Sequence, residues 1–289
     1  MNFFSLAKRI NRPLVLDGAM GSMLQSSGEK SKGSLWMSYV NIKSPEKVLE
    51  VHKKYIEAGA DIITTNTFRT NPAALKDFPQ IKSEKFVKDS VSLALKARGS
   101  LPLFVAGSNA PAEDCYQAER TISKKELEYN HQTHIDLLIS SGCDFILNET
   151  QSHLDEIKFI SQYCFRKKIP YVISFFFTKE LKLLSGENLF DVIKLISDYE
   201  PLAIGFNCIM PKIFRKTLKQ ITGSYNWGFY LNCGSGNYSD EIITCNVSPI
   251  EYVKHVKSAL KKKPSFVGSC CGSSPYHIKE IKKHLNGRN

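Results

Sequence analysis

The chain has 289 residues, of which 42% are hydrophobic and 23% are charged, a composition that supplies a sizeable core. No stretch approaches the ~18 uninterrupted apolar residues that a membrane-spanning helix needs, so we expect no membrane partner. The net charge of +11 would suit a nucleic-acid binder. However, the lysines are scattered, most of them at the ends of predicted helices, and no nucleic-acid motif accompanies them. We therefore interpret the charge as a solvated surface and expect no nucleic-acid partner.

The first residues do not have the pattern of a signal peptide. Lys8 and Arg9 follow the short apolar run instead of preceding it, and no small-residue cleavage site is present. We therefore expect a cytoplasmic protein. In a reducing compartment, the eight cysteines favour metal binding or catalysis over disulfide bonds.

Short apolar runs alternate with amphipathic segments from end to end. In chain order, each predicted strand and the helix that follows it are Leu14–Gly18 with Pro45–Ala58, Asp61–Phe68 with Ser83–Arg98, Leu103–Ser108 with Lys124–Ser141, Phe145–Thr150 with Leu154–Arg166, Tyr171–Phe177 with Asn188–Tyr199, Ala203–Cys208 with Lys212–Ile221, Trp227–Cys233 with Pro249–Leu260, and Ser265–Cys270 with Pro275–Leu285. Local signals support several boundaries. Ser44 and Pro45 have the N-cap and N1 pattern, Ser123 and Glu126 have capping-box spacing, and Gly142 ends a helix.

This alternation predicts a parallel sheet, because a parallel connection needs a crossover helix. Eight units without a break indicate a closed barrel more than an open sheet, and about 250 residues is the usual size of a (β/α)8 barrel. No linker or change of composition marks a second domain. We therefore expect an α/β protein with a single (β/α)8 barrel domain over residues 1–289.

In such a barrel, the active site forms at the carboxyl ends of the strands. Polar groups end six of the predicted strands: Asp17-Gly18, Thr64–Thr67, Asn148–Thr150, Asn207-Cys208, Asn232–Gly234 and Cys270–Gly272. Groups with useful chemistry therefore converge on one rim.

Three thiols at this rim suit zinc, which favours tetrahedral sites with soft ligands, and three protein ligands would leave one position open for catalysis. Cys208, Cys270 and Cys271 are the candidate ligands, and Cys115 and Cys233 compete with them. The alternative is that each cysteine is a small buried hydrophobic residue. The residue pattern alone leaves both readings open.

At these residues the chain resembles the homocysteine S-methyltransferase family, which includes enzymes that use S-methylmethionine or betaine and the homocysteine domain of methionine synthase. The matching segments are Leu16–Leu24 (LDGAMGSML), Asn41–Phe68, Asn148–Thr150 (NET), Ile204–Cys208 (IGFNC) and Val267–Ile278 (VGSCCGSSPYHI). They run in the family's order over nearly the whole chain. The paired cysteines with an upstream Asn-Cys after a strand are the most specific part.

The resemblance implies a zinc ion on Cys208, Cys270 and Cys271 that binds the homocysteine thiol and keeps it deprotonated. It also implies methyl transfer from a small donor, with S-methylmethionine the leading candidate, to give methionine. The other site residues that it implies are Asp17 and Glu149 as catalytic acids that also bind the substrate ammonium, Gly18 and Ala19 as backbone donors to its carboxylate, Thr65 and Asn66 along the rim, and Asn207 beside the zinc ligands.

Two segments depart from the family. The seventh strand ends in Asn232-Cys233-Gly234 where an Asn-Ser-Gly turn is common, and the loop after the third strand reads NAPAEDCYQAE (Asn109–Glu119) where a glycine-rich version is common. That loop is expected near the methyl donor. A methyl-corrinoid or betaine-like donor, another thiol acceptor and a non-catalytic zinc-binding barrel therefore remain as alternatives. The oligomeric state is not defined by the sequence.

Overall fold

The computed structural model describes residues 10–222, 225–235 and 243–287. The segment with Lys8 and Arg9, on which the signal-peptide argument rests, lies outside the described residues. Within the described ranges, we find no helix that combines the length and the apolar character needed to cross a membrane.

Eight parallel strands form one sheet. They are β1 (Leu14–Val15), β2 (Ile62–Thr64), β3 (Phe104–Asn109), β4 (Phe145–Gln151), β5 (Tyr171–Phe175), β6 (Ala203–Asn207), β7 (Trp227–Leu231) and β10 (Phe266–Ser269), while β8 (Gly234–Ser235) and β9 (Thr244–Cys245) form a separate antiparallel pair. Their order in the sheet is β1-β10-β7-β6-β5-β4-β3-β2. A parallel bridge between Leu16 and Ile62 joins β1 to β2, so the predicted single (β/α)8 barrel is confirmed.

A helix follows each strand of the barrel. These helices are Pro45–Glu57, Ser83–Arg98, Lys124–Ser140, Leu154–Lys167, Leu189–Ser197, Pro211–Gln220, Pro249–Leu260 and Pro275–Asn286, and each bound agrees with its prediction within two residues. The capping box predicted at Ser123 is present, since its side chain accepts from the Glu126 backbone N–H and the Glu126 side chain accepts in return. Local capping chemistry therefore sets the start of this helix.

Four short helical segments and the small β8–β9 pair were not predicted. The helical segments are Met20–Ser26, Gly33–Tyr39, Val40–Lys43 and Pro72–Leu75. The first two strands are also shorter than predicted, because the polar residues that follow them turn away from the ladder. Thr67, for example, donates from its hydroxyl to the Ser108 carbonyl at 2.8 Å. These irregular segments build the walls around the carboxyl end of the barrel.

The core has two layers, because successive strand residues point to opposite faces of the sheet. Leu14, Phe104 and Phe145 belong to the cluster inside the barrel. Their neighbours Val105 and Ile146 belong to the larger cluster between strands and helices. The barrel is therefore packed with side chains below the rim.

Ionic contacts close the barrel at its amino end. The Asp61 carboxylate, just before β2, accepts from the Arg12 guanidinium at 2.6 Å, from Lys282 Nζ at 2.8 Å and from the Val15 backbone N–H at 2.8 Å. One carboxylate thus connects the first strand, the second strand and the last helix. We call these contacts the closure seam.

Candidate metal and substrate site

A cavity of about 570 Å³ opens at the carboxyl ends of the strands. Among the predicted site residues, those that line it are Asp17, Gly18, Ala19, Thr65, Asn66, Glu149, Cys208, Cys270 and Cys271. Asn207 does not line it. Strands distant in sequence therefore bring nearly all of the predicted residues to one cavity, as the barrel topology requires.

The three thiols lie together on one side of this cavity. Cys208 follows β6, and Cys270 and Cys271 follow β10. The Cys208 and Cys271 sulfurs are 3.5 Å apart, those of Cys270 and Cys271 are 3.9 Å apart, and all three lie within 4.8 Å of one another. The φ angle of Cys208 is +54°, a left-handed conformation that a non-glycine residue rarely adopts.

The donor set fits a metal ion such as zinc. Tetrahedral zinc with Zn–S bonds of about 2.3 Å places its sulfur ligands about 3.8 Å apart, close to the separations of the Cys271 sulfur from its two neighbours. Hydrogen bonds from the Cys208 and Cys270 thiols hold the pKa of Cys271 well below its ordinary value. One thiolate therefore forms readily without a cation, whereas three adjacent thiolates need the charge of a metal ion.

The two remaining cysteines near the cavity are not part of this cluster. Cys115 lines the cavity wall, and burial raises the pKa of its thiol to about 12. The Cys233 sulfur is fully buried and directed at the Leu231 carbonyl at 3.7 Å. Among the described residues, only Cys208, Cys270 and Cys271 group as potential metal ligands.

The phenol of Tyr116 was missed by the sequence reasoning. Its hydroxyl lies 3.0 Å from the Cys208 sulfur, and its ring packs edge-on against Phe176. Tyr116 comes from the loop after β3, which departs from the family pattern and was expected near the methyl donor, with no single residue of it predicted to act in the site. Asn232 Nδ2, 3.9 Å from the Cys208 sulfur, is a second polar neighbour.

Two acids, the buried Asp17 and the partly buried Glu149, line the same cavity. The Asp17 carboxylate accepts from the Thr64 backbone N–H at 2.8 Å and from the Thr64 hydroxyl at 2.6 Å. The Ser108 hydroxyl donates to Glu149 at 2.5 Å. Burial raises the pKa of Asp17 to about 8, against the lowering effect of Thr64, and raises that of Glu149 to about 7. No salt bridge to either acid exists among the described residues, so a cationic group of a ligand would stabilise their ionised forms.

The turn after β1 brings the backbone close to its neighbours. A Cβ added at Gly18 would lie 2.8 Å from the Ser273 hydroxyl and from the Tyr55 ring, so only glycine fits there. The Ala19 backbone N–H donates to Ser273 Oγ at 3.1 Å. The predicted use of Ala19 as a donor to a ligand therefore requires exchange of this bond.

The polar residues after the other strands mostly organise the rim. The Asn66 amide donates to the Met37 carbonyl at 3.1 Å, and Thr65 Oγ1 accepts from the Ser108 backbone N–H at 3.1 Å. The Asn207 amide is fully engaged with Thr150, accepting from its backbone N–H at 3.0 Å and donating to its hydroxyl at 2.9 Å. Asn207 therefore fixes the residue after Glu149 and contacts neither the cavity nor a thiol.

The loop after β3 is anchored by one buried carboxylate. Glu156 accepts from the Ala112 backbone N–H at 2.8 Å, from His131 at 2.5 Å and from Arg120 at 3.1 Å. Although burial alone would raise its pKa, the bond from His131 and the charge of Arg120 lower the pKa of Glu156 to about 2. This anchor holds the loop that carries Tyr116 over the cavity.

Comparison with known proteins agrees with this geometry. The family model described as homocysteine S-methyltransferase matches residues 14–285. Homocysteine S-methyltransferase of Escherichia coli is 26% identical over 93% of this chain and 94% of its own length. Homocysteine S-methyltransferase 1 of Zea mays is 27% identical over 98% and 97%. The metallated crystal form of the Escherichia coli homocysteine methyltransferase MmuM superposes with a TM-score of 0.81 at 24% identity, covering 98% of this chain and 100% of that one, which supports the fold.

Proposed function

The chain belongs to the homocysteine S-methyltransferase family, and on that premise we propose that it moves a methyl group from S-methylmethionine to zinc-bound homocysteine, giving methionine. The observation that carries the proposal is the presence in one cavity of a three-thiol cluster and of two acids that form no salt bridge among the described residues. A substrate with both a thiol and an ammonium group would interact with the thiol cluster through a metal ion and with the two acids directly.

Cys208, Cys270 and Cys271 would hold the zinc ion, leaving its fourth position for the substrate thiol. When bound, zinc supplies the positive charge that keeps that thiol deprotonated and nucleophilic at neutral pH. The Tyr116 hydroxyl, 3.0 Å from the Cys208 sulfur, would orient this ligand, and donation to the Cys208 thiolate would lower its charge relative to that of the substrate sulfur.

Glu149 and Asp17 would bind the homocysteine ammonium. Each acid is oriented by a hydroxyl donor, Ser108 for Glu149 and Thr64 for Asp17. Because the pKa values of both carboxyl groups are raised, these groups retain protons near neutral pH when no ligand is bound. A bound ammonium group would favour their ionised forms. The Gly18 turn would offer backbone N–H to the substrate carboxylate.

The transfer itself needs no protein base. The homocysteine sulfur forms a bond to a methyl carbon of the donor, and the donor S–CH3 bond breaks with its electron pair remaining on the departing sulfur. The donor sulfonium becomes a neutral thioether, and no proton moves in this step. The apolar walls, which include Met20, Trp36 and Phe68, exclude water from the reacting groups.

We further propose that residues 1–289 form one homocysteine-binding barrel domain and that the protein is cytoplasmic. The eight cysteines are all described as free thiols. Three of them are the proposed metal ligands, which remain competent only while reduced.

The direct test is methionine formation by zinc-loaded protein from homocysteine and S-methylmethionine, with metal-free protein as the control. Turnover that requires both substrates and zinc is the expected result. Betaine, a methyl-corrinoid and other thiols are then offered in place of each substrate. Homocysteine binding without turnover with any donor would overturn the proposal and favour a non-catalytic zinc barrel.

A further inference from the structure

The cavity contains a single cationic side chain among its described lining residues. The chain has 39 lysines and arginines, yet only Arg69 lines the cavity. The homocysteine ammonium is already accounted for by Asp17 and Glu149. A lone arginine in the same cavity therefore points to an anionic group on a ligand.

Arg69 is held in a fixed orientation by two backbone carbonyls and one aromatic ring. Its Nη1 donates to the Glu113 carbonyl at 2.8 Å and to the Pro111 carbonyl at 3.3 Å, and the guanidinium lies 5.3 Å from the centre of the Phe68 ring. Among the described residues, no carboxylate forms a salt bridge with Arg69. Two of its three guanidinium nitrogens, Nη2 and Nε, have no protein partner among the described contacts.

The position of Arg69 favours the methyl donor over the acceptor. It follows the last residue of β2, Thr64, by five positions, whereas Thr64 itself bonds to Asp17 at the strand-end layer. Arg69 is also fixed by two carbonyls of the loop 109–121, and residues of that loop line the cavity. The acceptor is assigned instead to the thiols and the acids, which belong to strand ends.

We propose that Arg69 binds the carboxylate of the methyl donor, as S-methylmethionine would offer it. This inference rests on the proposed function and assigns a residue to the recognition of its donor. A planar guanidinium matches a carboxylate with two parallel hydrogen bonds, and lysine or glutamine cannot reproduce that geometry.

The test compares two donors that differ only in the carboxylate. S-methylmethionine carries it, and (3-aminopropyl)dimethylsulfonium is the same molecule without it. The wild-type protein should prefer S-methylmethionine in kcat/KM by roughly 10- to 100-fold, the range for a charge-assisted pair. In Arg69→Gln this preference should fall to about one, and Arg69→Lys should retain part of it because the charge remains.

A matched control removes an arginine from the other end of the barrel. Arg98 pairs with Asp144, which precedes β4, so Arg98→Gln should keep the donor preference. Loss of the Arg69 bonds to the loop would slow both donors equally, and the ratio between donors is insensitive to such a structural effect. An increase in the homocysteine KM of Arg69→Gln with an unchanged donor ratio would assign Arg69 to the acceptor and overturn the inference.

Calorimetric binding of each donor to zinc-loaded protein without homocysteine separates this inference from the proposed function. No reaction occurs without an acceptor, so binding is measured alone. Tighter binding of S-methylmethionine that is lost in Arg69→Gln supports the inference even if turnover fails. Equal binding of the two donors, or no binding of S-methylmethionine, overturns it even if turnover with another donor is found.

Discussion

The acids at the two ends of the barrel have pKa values that are shifted in opposite directions. At the amino end, Arg12 and Lys282 compensate Asp61, and their hydrogen bonds hold its pKa below the ordinary value although burial opposes this. At the carboxyl end, the buried Asp17 and the partly buried Glu149 have no cationic partner among the described residues, and their pKa values rise to about 8 and about 7.

This difference distinguishes an acid that stabilises the fold from acids that are available to bind a ligand. A buried charge with partners contributes to the fold, because the partners replace the lost hydration. A buried acid without a partner costs stability unless it stays protonated or a ligand supplies the missing charge. The closure seam is therefore complete in the free protein, whereas the proposed substrates and metal ion would supply the missing positive charge at the carboxyl end.

The variant with the largest expected effect is Cys271→Ser, which tests whether the carboxyl end of the barrel binds the metal ion. Loss of one of three metal ligands should remove zinc and lower turnover by more than the roughly 10- to 100-fold that loss of a supporting contact costs. Metal content, turnover and thermal unfolding are measured together. Cys245→Ser is the control, because Cys245 is exposed and lies outside the cluster. Stoichiometric zinc and full turnover in Cys271→Ser would remove Cys271 from the metal site.

A pH series should reveal the uncompensated acids. Asp17 and Glu149 bind protons more tightly in the folded than in the unfolded chain. Their stabilising effect is therefore complete below the unfolded pKa values of 3.8 and 4.5 and is lost as pH rises through about 7 to 8. For Glu149 the shift corresponds to about 3 kcal/mol. Urea unfolding of metal-free protein from pH 5 to 9 should show this decline, and Glu149→Gln should make it shallower, leaving the part that belongs to Asp17. A flat profile in the parent protein would contradict this distinction between the two ends.

Glu149→Ala should weaken homocysteine binding by roughly 10- to 100-fold, because a charge-assisted contact with the ammonium is lost. The zinc content should remain near that of the parent protein, since Glu149 is not among the clustered ligands. Steady-state kinetics at varied homocysteine concentration measures the effect. Glu50→Ala, on the exposed face of helix Pro45–Glu57, serves as the control. An unchanged homocysteine KM would exclude the ammonium role.

A substitution in the closure seam should lower stability and leave substrate and metal binding unchanged. Asp61→Asn leaves Arg12 and Lys282 without their carboxylate, and we expect a loss of about 1–2 kcal/mol in the free energy of unfolding, since the pair is partly exposed. The homocysteine KM and the metal content should not change. Denaturant unfolding with steady-state kinetics measures both. A selective loss of turnover at unchanged stability would contradict the assignment of Asp61 to stability.

The sequence predicts the part of the site that is built on strands. Cys208 and Cys270 stand where buried apolar runs end, and the barrel topology brings those ends together, so their proximity follows from the alternation of strands and helices. Glu149 and Asp17 follow the same logic. Their pKa values could not be predicted, because they depend on which neighbours exclude water and on the absence of a nearby cation.

The part that is built on loops was not predictable. Tyr116 and Arg69 reach the cavity from irregular segments whose paths are set by long-range contacts such as Glu156 with the Ala112 backbone. Asn207 shows the converse case. It stands at a strand end as expected, but its amide is used by Thr150, a pairing that no local pattern indicates.

The Glu156 anchor has a consequence for how such enzymes diversify. Glu156 ties Ala112 and Arg120 to the scaffold, while the two acids and the three thiols belong to strand ends. Residues 113–119, which lie between those two positions, include Tyr116 beside the Cys208 sulfur and the Glu113 carbonyl that holds Arg69. We therefore expect that a lineage, or an engineer, that changes this stretch alters donor recognition and the surroundings of one thiol together, while the strand-end groups stay in place.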